Sequence, residues 1–543
     1  MKITFYWFII ILNILVLQDH VSAQDKPSGI DAITSSDLES HVSFLASPLL
    51  SGRMNGEPGL DIALNYISSQ AKLMGLLPGN GKSHFQPYSM VINTIDKEKT
   101  MISVISGKKD TVTIREPLCQ LIPTGPADFA IEGEVVFAGY GLRREDIGYN
   151  DFKNISLDGK IILIMTGAPD TSKSRNGQQK EAGWSSLNSI QEKITDLLFT
   201  KAKAILIVND PKSGYEFIDD QFPGIYEELS STKTLKGEES PVLHLPGVPK
   251  IIFIHRSVAD ALLNGTGKSL KELQEKIDSD LKSFSFPIRG KQIKITESVS
   301  TVEKTLNNVA AIIEGSDPIL KKEYIVFSGH ADHIGGSGRH INTGADDNAS
   351  GCAALLSIAR AFQGLEIKPL RSVLFLWFSG EEIGLFGSRY YINNPLVPLE
   401  MTVADLNMDM IGRVKGVADT TDDNPMTGED EVFVITGNQS KELLTIAADI
   451  DKSTPLDFDY SLSGRNHELQ LFARSDHFNF VSKDIPVLFF STGLHTDYHT
   501  PGDVTDKINF KKMELITRTV FRIGYEITNR KTKLTVDNPY STW

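Results

Sequence analysis

The sequence predicts an α/β fold in which a mixed, largely parallel sheet is flanked by helices. Two short apolar runs, YIVFSG (324–329) and VLFLWFSG (373–380), are rich in β-branched and aromatic residues. Such continuous apolar runs are typical of the buried strands of a parallel sheet. Each run leads into an acidic turn and then into a segment with apolar residues at helical spacing. The order strand, acidic turn, helix therefore occurs twice.

Further apolar segments extend the predicted sheet. MTVADLNMDMIG (401–412) is predicted to be a third strand that ends at Asp409, and DIPVLFFSTG (484–493) a fourth that leads into LHTDYHTPGD. Residues 307–313 precede the 324–329 strand and are expected to join the same sheet.

Histidines and carboxylates follow these strands at their carboxyl ends. They occur in HADH (330–333), GADDNASG (344–351) and SGEEIGLFGS (379–388), and in the last loop, which contains His495 and His499. Open α/β sheets bind ligands in the crevice beyond the carboxyl ends of their strands. We therefore expect these polar residues to meet in one crevice.

Taken one at a time, these residues have ordinary explanations. A histidine after a strand is most often a hydrogen-bonded loop residue, and paired acids such as Glu381 and Glu382 most often lie at a helix N-terminus. Together they would bury many carboxylates in one crevice, which is strongly unfavourable without bound cations. The combination predicts a metal site. Its nitrogen and oxygen ligands suit zinc, although cobalt or manganese can use the same ligands.

The set of motifs as a whole resembles one protein family. HADH, GADDNASG, SGEEIGLFGS, NMDM and YHTPGD, which lie within residues 330–503, resemble the motifs of the co-catalytic di-zinc aminopeptidases in the family's order. Those enzymes are clan MH zinc exopeptidases, relatives of glutamate carboxypeptidase and of the transferrin receptor ectodomain. The resemblance implies the zinc exopeptidase fold, two zinc ions per chain and removal of N-terminal residues from peptide substrates.

The resemblance also implies which residues bind the metal. One zinc ion would bind to His330 and Asp409, the other to Glu382 and His499, and Asp347 would bridge both. Receptor-like relatives that lack catalysis have lost ligands from this set, whereas this chain keeps all of them. The resemblance therefore favours an active zinc metallopeptidase.

Two more acids have implied catalytic roles. Glu381, directly before Glu382, matches the family's general base, which would take a proton from water and return it to the leaving amine. Asp332 matches the acid that hydrogen-bonds the histidine two residues earlier, His330. Such a carboxylate fixes the tautomer of the imidazole and raises its basicity as a ligand.

Two choices inside the motifs depend on position. Composition does not separate His495 from His499, and the match through residues 499–503 favours His499. Asp346 is expected to be structural, because Asp347 occupies the position that matches the family's ligand.

The substrate pocket is less well defined by the sequence. Arg474 and His477 are candidate substrate-binding residues, and Arg474 could reach a substrate carbonyl or carboxylate. Phe472 and Ala473 lie where some relatives carry a tyrosine that stabilises the oxyanion, so no oxyanion donor is assigned. His333 is expected to be a loop residue or to lie beside the ligands.

The length of 543 residues predicts more than one domain, because single hydrophobic cores seldom grow beyond roughly 250–300 residues. Residues 1–23 have the pattern of a cleaved signal peptide, so we expect a secreted or periplasmic protein. The peptidase domain is expected at residues 24–115 and 293–543. Residues 116–292, rich in strand and turn signals, resemble a protease-associated domain inserted into it.

Composition argues against several other functions. The formal net charge of −14 argues against nucleic-acid or anionic-membrane partners, which need clustered basic surface. With two cysteines in the chain, cysteine chemistry is not expected, and no stretch after residue 23 approaches the ~20 apolar residues of a membrane span. The remaining alternatives are a carboxypeptidase or glutaminyl cyclase of the same superfamily, and a non-catalytic binding protein on the same fold.

Overall fold

A computed structural model describes most of the chain. The described residues are 29–107, 110–115, 118–122, 128–144, 148–169, 193–194, 197–198, 200–222, 230–238, 248–338, 340–416, 424–464, 467 and 469–542. The segment predicted to be a signal peptide, residues 1–23, lies outside them, and that assignment stays a prediction. Among the helices of the described ranges, none is both long enough and apolar enough to cross a lipid bilayer.

The strands and helices are numbered in chain order. The strands are β1 (Leu77–Pro78), β2 (Phe85–Ile95), β3 (Met101–Ser106), β4 (Asp110–Ile114), β5 (Cys119–Leu121), β6 (Phe129–Phe137), β7 (Arg143–Arg144), β8 (Tyr149–Asn150), β9 (Ile161–Met165), β10 (Ala204–Val208), β11 (Ser231–Leu235), β12 (Lys250–Ile254), β13 (Phe286–Glu297), β14 (Val299–Ile313), β15 (Tyr324–His330), β16 (Gly336–Ser337), β17 (His340–Ile341), β18 (Ser372–Phe378), β19 (Thr402–Met408), β20 (Glu431–Ile435), β21 (Asp457–Asp459) and β22 (Val487–Ser491). The helices are α1 (Ser35–Leu45), α2 (Pro58–Leu73), α3 (Ile218–Gln221), α4 (Arg256–Leu263), α5 (Leu270–Asp280), α6 (Gly351–Gln363), α7 (Phe386–Asn393), α8 (Lys441–Asp451), α9 (His477–Val481) and α10 (Phe510–Asn529).

The chain divides into two compact units, Met1–Tyr88 with Thr305–Trp543, and Ser89–Lys304. The sequence predicts the inserted unit at residues 116–292, so the second unit begins earlier and ends later than expected. The reason is strand pairing. Strands β3 and β4 precede residue 116, yet β3 pairs antiparallel with β13 and with β4, inside the sheet of the second unit.

The first unit contains a mixed sheet with a parallel centre. Its strands follow the order β2-β14-β18-β15-β19-β22-β20-β21, and β1 pairs with β14. The pairs β18–β15, β15–β19 and β19–β22 are parallel, whereas β14 and β20 join this centre antiparallel. Strands β15, β18, β19 and β22 correspond to the four predicted apolar runs, and residues 307–313, also expected in this sheet, form the end of β14.

Aromatic rings hold the central strands of this sheet against its helices. Phe327 of β15 stacks on Phe375 of β18 with ring centroids 5.4 Å apart. Phe362 of α6 contacts Phe327 at 5.7 Å and Phe521 of α10 at 4.8 Å, and all four rings are buried. The two strands that lead into HADH and SGEE are therefore fixed side by side in one core.

The parallel pairing brings the predicted motifs to one edge of the sheet. Because β18, β15 and β19 are parallel neighbours, their carboxyl ends lie together. Strand β15 ends at His330, β19 ends just before Asp409, and β18 ends shortly before Glu381. The GADDN segment lies in the turn Ala345–Ser350, directly before α6.

The second unit has its own sheet and its own core. The strand order is β4-β3-β13-β6-β9-β10-β12-β5. Strands β9 (IILIM) and β10 (AILIV) are buried at every position, as expected for central parallel strands. Helices α4 and α5 contribute buried leucines to this core.

Gly524 of α10 offers a test of the packing in the first unit. A Cβ atom at this position would lie 2.2 Å from Cζ of Phe327, whose ring is enclosed by other aromatic side chains. Replacing glycine inside a helix by alanine normally stabilises a protein by roughly 0.5–1 kcal/mol. Here we expect Gly524→Ala to destabilise the protein by about 1–3 kcal/mol instead, because the core is overpacked.

Thermal or urea unfolding would measure this change. Lys511→Ala, at an exposed position of the same helix, is the matched control and should alter the unfolding midpoint little. A Gly524→Ala protein as stable as the parent would contradict the close contact between α10 and β15.

Candidate metal centre

The first cluster of potential ligands joins the ends of two strands to the GADDN turn. His330 Nε2 lies 3.3 Å from Asp347 Oδ1 and 3.4 Å from Asp409 Oδ2. All three residues are buried. The group has the ligand types and the spacing of a metal site.

The second cluster shares Asp347 with the first. His499 Nε2 lies 3.2 Å from Asp347 Oδ2 and 3.1 Å from Glu382 Oε2. Asp347 thus turns one carboxylate oxygen towards each cluster. The five residues that the family resemblance implies as ligands are therefore brought together in two adjoining groups.

The distances between these atoms fit zinc. Tetrahedral zinc with bonds of about 2.0–2.2 Å would hold neighbouring ligand atoms roughly 3.3–3.6 Å apart. The four separations in the clusters, 3.1 to 3.4 Å, are close to this range. Within the described ranges, His499 Nε2 and Asp409 Oδ1 are buried atoms without a hydrogen-bond partner. A bound cation would satisfy both atoms, so the residues fit the metal.

The clusters perturb the protonation of their own members. Burial alone would lower the pKa of His499, but the carboxylates of Asp347 and Glu382 outweigh it and raise the pKa to about 10. Burial alone would raise the pKa of Asp347, yet the neighbouring His333 and His330 hold it well below its usual range. Without a metal, the histidines therefore act as the counter-charges of the buried acids.

Glu381 lies beside the first cluster. Its Oε2 is 4.0 Å from His330 Nε2. Burial raises the pKa of Glu381 well above its usual value, and the nearby carboxylates of Glu382 and Asp409 raise it further. The side chain is thus a largely buried carboxyl group with a raised proton affinity next to the potential ligands.

Asp332 contacts its neighbours differently from the sequence-based expectation. Its carboxylate lies 3.7 Å from His330 Nδ1, beyond hydrogen-bond distance, and Nδ1 instead lies 3.2 Å from the main-chain oxygen of Asp332. The carboxylate accepts the N–H groups of Glu381 and Glu382, each at 3.2 Å, and the amide of Asn55 at 2.6 Å. Its side chain therefore fixes the turn that carries both glutamates.

His333 is closer to the metal ligands than a loop residue would be. Its Nδ1 forms a 2.7 Å hydrogen bond with Glu382 Oε1 and lies 3.6 Å from Asp347 Oδ2. It is buried, and its ring meets that of His499 edge to face. His333 therefore belongs, with Asp347, Glu382 and His499, to the second group of potential ligands, and its hydrogen bond also supports the carboxylate of Glu382.

His495 belongs to a different set of contacts. Its Nε2 lies 3.5 Å from Asp346 Oδ2 and 3.9 Å from Asp503 Oδ1, behind the GADDN turn. The other oxygen of Asp346 accepts the N–H of Gly412 at 2.6 Å. Neither His495 nor Asp346 is part of the two clusters.

A pocket opens from the first cluster. Its wall includes His330, Asp347, Glu381 and Asp409. The remaining lining is mostly apolar and comprises Met410, Ile435, Leu462, Leu471, Phe489, Ser491, Gly493 and Leu494, with Arg474 and Tyr498. One end of the pocket is therefore acidic and the rest is largely hydrophobic.

Only one of the two predicted substrate-binding residues lines this pocket. Arg474 is exposed at its wall and makes no ion pair with another described residue. His477 is fully buried, and its Nε2 lies 2.9 Å from the main-chain oxygen of Phe472. Burial lowers the pKa of His477 to about 3, and its ring stacks on Phe489 at 4.5 Å. The expectation that His477 lines the pocket is thus wrong, because His477 is the first residue of α9 and its side chain is buried in the core.

Tyr498 was missed by the sequence reasoning. It lines the pocket, and its ring stacks on that of His499 with centroids 3.9 Å apart. Burial and the nearby carboxylate of Asp347 raise the pKa of its phenol, which keeps the hydroxyl proton in place. Its position directly before a candidate ligand was the signal that could have identified it.

Comparison with known proteins relates the part of the chain that carries this site to peptidases. The model of Peptidase family M28 matches residues 308–523. Leupeptin-inactivating enzyme 1 of Streptomyces exfoliatus is 36% identical over 119 residues, which cover 22% of this chain and 25% of that protein. Leucine aminopeptidase 2 of Trichophyton rubrum is 25% identical over 265 residues, covering 44% of this chain and 49% of that protein. The matches thus span between a quarter and about half of these relatives.

Two solved structures are similar in fold over nearly the whole chain. An aminopeptidase from Aneurinibacillus sp. strain AM-1 has a TM-score of 0.51 and 18% identity, covering 94% of this chain and 97% of that one. A zinc aminopeptidase from Bacillus subtilis has a TM-score of 0.50 and 17% identity, covering 93% and 97%. The predicted α/β fold is confirmed. Residues 308–523, over which the chain matches the model of Peptidase family M28, contain all the motifs of both clusters.

Proposed function

We propose that this protein is a zinc-dependent aminopeptidase that removes N-terminal residues from peptides and uses two zinc ions. One observation carries the proposal. Asp347 directs its two carboxylate oxygens to two separate ligand clusters, with the largely buried Glu381 beside them. A site built only to stabilise the fold has no need of an extra carboxyl group next to its ligands.

His330 and Asp409 would hold one zinc ion, Glu382 and His499 the other, and Asp347 both. When bound, such a pair of ions would polarise the scissile carbonyl and lower the pKa of a water molecule. His333 supports Glu382 through the hydrogen bond to its Oε1. Ser475 supports Asp409 in the same way, since its hydroxyl donates to Asp409 Oδ2 at 2.8 Å.

Glu381 is the proposed general base. It would take a proton from water at its carboxylate and return that proton to the leaving amine. Its raised pKa favours this role, because a carboxyl group with an ordinary pKa holds a proton poorly near neutral pH. Asp332 holds the main chain of Glu381 in place through the 3.2 Å hydrogen bond from the Glu381 N–H.

Tyr498 is the proposed oxyanion donor, in place of the tyrosine that this chain lacks at positions 472 and 473. Its hydroxyl stays protonated, and the residue lines the same pocket as His330, Asp347 and Asp409. A preorganised donor of this kind stabilises the negative charge that develops on the carbonyl oxygen.

The charge of the pocket favours an N-terminal over a C-terminal substrate group. Its inner wall presents three carboxylates, from Asp347, Glu381 and Asp409, and these attract an α-ammonium group and repel a carboxylate. Arg474, the arginine of the pocket lining, is exposed to solvent. The two curated relatives include a leucine aminopeptidase, in keeping with this choice.

We also propose that the second unit, Ser89–Lys304, is the protease-associated domain that the sequence resembles. Its support is its place in the chain, inserted between the two segments of the first unit, and its own strand-rich core.

The choice between His499 and His495 as ligand can be tested by zinc content. His499→Ala should hold about one zinc ion per chain where the parent holds about two, because the second cluster loses its nitrogen ligand. His495→Ala, in the same loop but outside the clusters, is the matched control and should keep both ions. Elemental analysis of the purified proteins measures this. The reverse pattern would refute the assignment of His499.

Glu381→Gln tests the general base. Glutamine has nearly the same size but cannot take a proton, so kcat should fall by about 10²–10⁴-fold while zinc content stays unchanged. Both proteins would be assayed on chromogenic aminoacyl substrates with free and with blocked N-termini. Turnover of N-blocked peptides alone would contradict an aminopeptidase and indicate a carboxypeptidase.

The lining of the pocket predicts a preference for apolar N-terminal residues. We expect kcat/KM for a leucyl anilide to exceed that for an alanyl anilide by at least about tenfold, since a hydrophobic pocket discriminates missing methylenes at that level. Leu471→Ala should reduce this ratio, whereas Leu73→Ala, on an exposed surface of α2, should leave it unchanged. Equal kcat/KM for leucyl, alanyl and aspartyl substrates would contradict the proposed pocket.

A further inference from the structure

The backbone of Asp347 is held on two sides by buried charged residues from distant parts of the sequence. Arg53 binds its carbonyl group and Asp503 binds its N–H group. Arg53 and Asp503 are 1% and 0% exposed, respectively. Neither residue belongs to the two ligand clusters.

Arg53 lies in the turn before α2, within the segment LLSGRMNGEPG. Its guanidinium donates five hydrogen bonds, all to main-chain carbonyl oxygens. The acceptors are Ala331 (2.8 Å), Leu45 (2.6 Å), Thr343 (2.6 Å), Gly344 (3.0 Å) and Asp347 (3.3 Å). One side chain thus ties the HADH loop to the GADDN turn. Lysine could not replace it, because an ammonium group lacks the planar fork of donors.

The segment around Arg53 makes further contacts with the HADH loop. The carbonyl of Arg53 accepts the N–H of His333 at 3.2 Å, and that of Gly52 accepts the N–H of Gly335 at 3.0 Å. Asn55 donates to Asp332 Oδ2 at 2.6 Å. The three residues together hold the main chain on which the first ligand and its neighbours lie.

Asp503 acts on the opposite side of Asp347. Its carboxylate accepts the N–H of Asp346 at 3.0 Å and the N–H of Asp347 at 3.1 Å. Arg413 Nη1 lies 3.7 Å from this carboxylate and supplies a positive charge. The residue follows His499 in the same loop, so it connects the bridging ligand to the loop of the last ligand.

The local backbone explains why such support is needed. Asp347 has φ −99° and ψ 97°, and Asn348 has φ −126° and ψ 44°, so neither is helical although α6 begins shortly afterwards. Their N–H and C=O groups therefore cannot rely on the regular bonds of a helix, and buried backbone groups need partners. Arg53 and Asp503 supply those partners at Asp347.

We propose that Arg53 and Asp503 are positioning residues that together fix the bridging carboxylate, so that its two oxygens face the two metal sites at once. The inference rests on the proposed two-metal function. Its consequence is that loosening either residue weakens metal binding at both sites, because both depend on the direction of one side chain. Partners of metal ligands typically contribute about 10–100-fold to metal affinity.

The experiment measures metal affinity of the full-length protein without reference to turnover. Zinc dissociation constants would be obtained by competition with a chelator, and absorption spectra would be recorded with cobalt in place of zinc. We expect Arg53→Lys and Asp503→Asn each to bind zinc about 10–100-fold more weakly and to change the cobalt spectrum.

Two matched controls separate positioning from general destabilisation. Arg371 is also fully buried and donates to the main-chain carbonyl of Ile527 at 3.4 Å and to Glu323 at 2.6 Å. Asp151 is a buried acid that accepts the N–H groups of Tyr140 and Leu142 at 3.0 and 3.1 Å, in the other unit. Arg371→Lys and Asp151→Asn should lower the thermal midpoint but leave zinc affinity and the cobalt spectrum unchanged.

The outcomes are distinct. If the parent binds about two zinc ions and both site variants bind them as tightly as the controls do, the inference is overturned. If Arg53→Lys does not fold, Asp503→Asn decides the question by the same measurement. A parent protein that binds no zinc would overturn the proposed function itself, and with it this inference.

Discussion

The burial of acids is the constraint on which the site depends. Asp347, Glu381 and Asp409 lie side by side in a buried crevice, where an unpaired carboxylate is strongly disfavoured. The buried His330 and the partly exposed His499, both with raised pKa values, balance these charges in the protein alone. A pair of zinc ions would balance them more fully, since each ion carries two positive charges and has no proton to lose. The same residues therefore explain both metal binding and the cost of an empty site.

The fold meets this constraint with backbone geometry. Parallel pairing of β18, β15 and β19 places the ends of three strands at one edge, which concentrates the acids there. The turn before α6 then adds Asp347 between the clusters. Main-chain groups around this turn are bonded by Arg53 and Asp503, and those of the SGEE turn by Asp332. The positions of the ligand atoms in such a site are therefore fixed only as well as the backbone that carries the ligands.

Much of the fold could be predicted from the sequence, and the reason is burial. Strands β15, β18, β19 and β22 are apolar over most of their length because both of their faces are buried, and such runs are easily recognised. The limits of the second unit were predicted less well. Strands β3 and β13 have alternating exposure and resemble many other edge segments, and the partner of such a strand depends on contacts far along the chain.

The sequence by itself determined the chemical types at the site, their order and the strand ends that carry them. His330, Glu382 and Asp409 lie in or next to short motifs whose positions follow from local pattern. Tertiary structure decided which loop residues face the clusters, since a loop side chain is directed by contacts with distant segments. In the folded chain His333 and Tyr498 lie at the site, whereas His477 is buried in the core. The carboxylate of Asp332 accepts a main-chain N–H of the turn that carries the two glutamates. The spacing of residues in the sequence does not predict these side-chain orientations, because each orientation is fixed by groups that come into contact only in the folded chain.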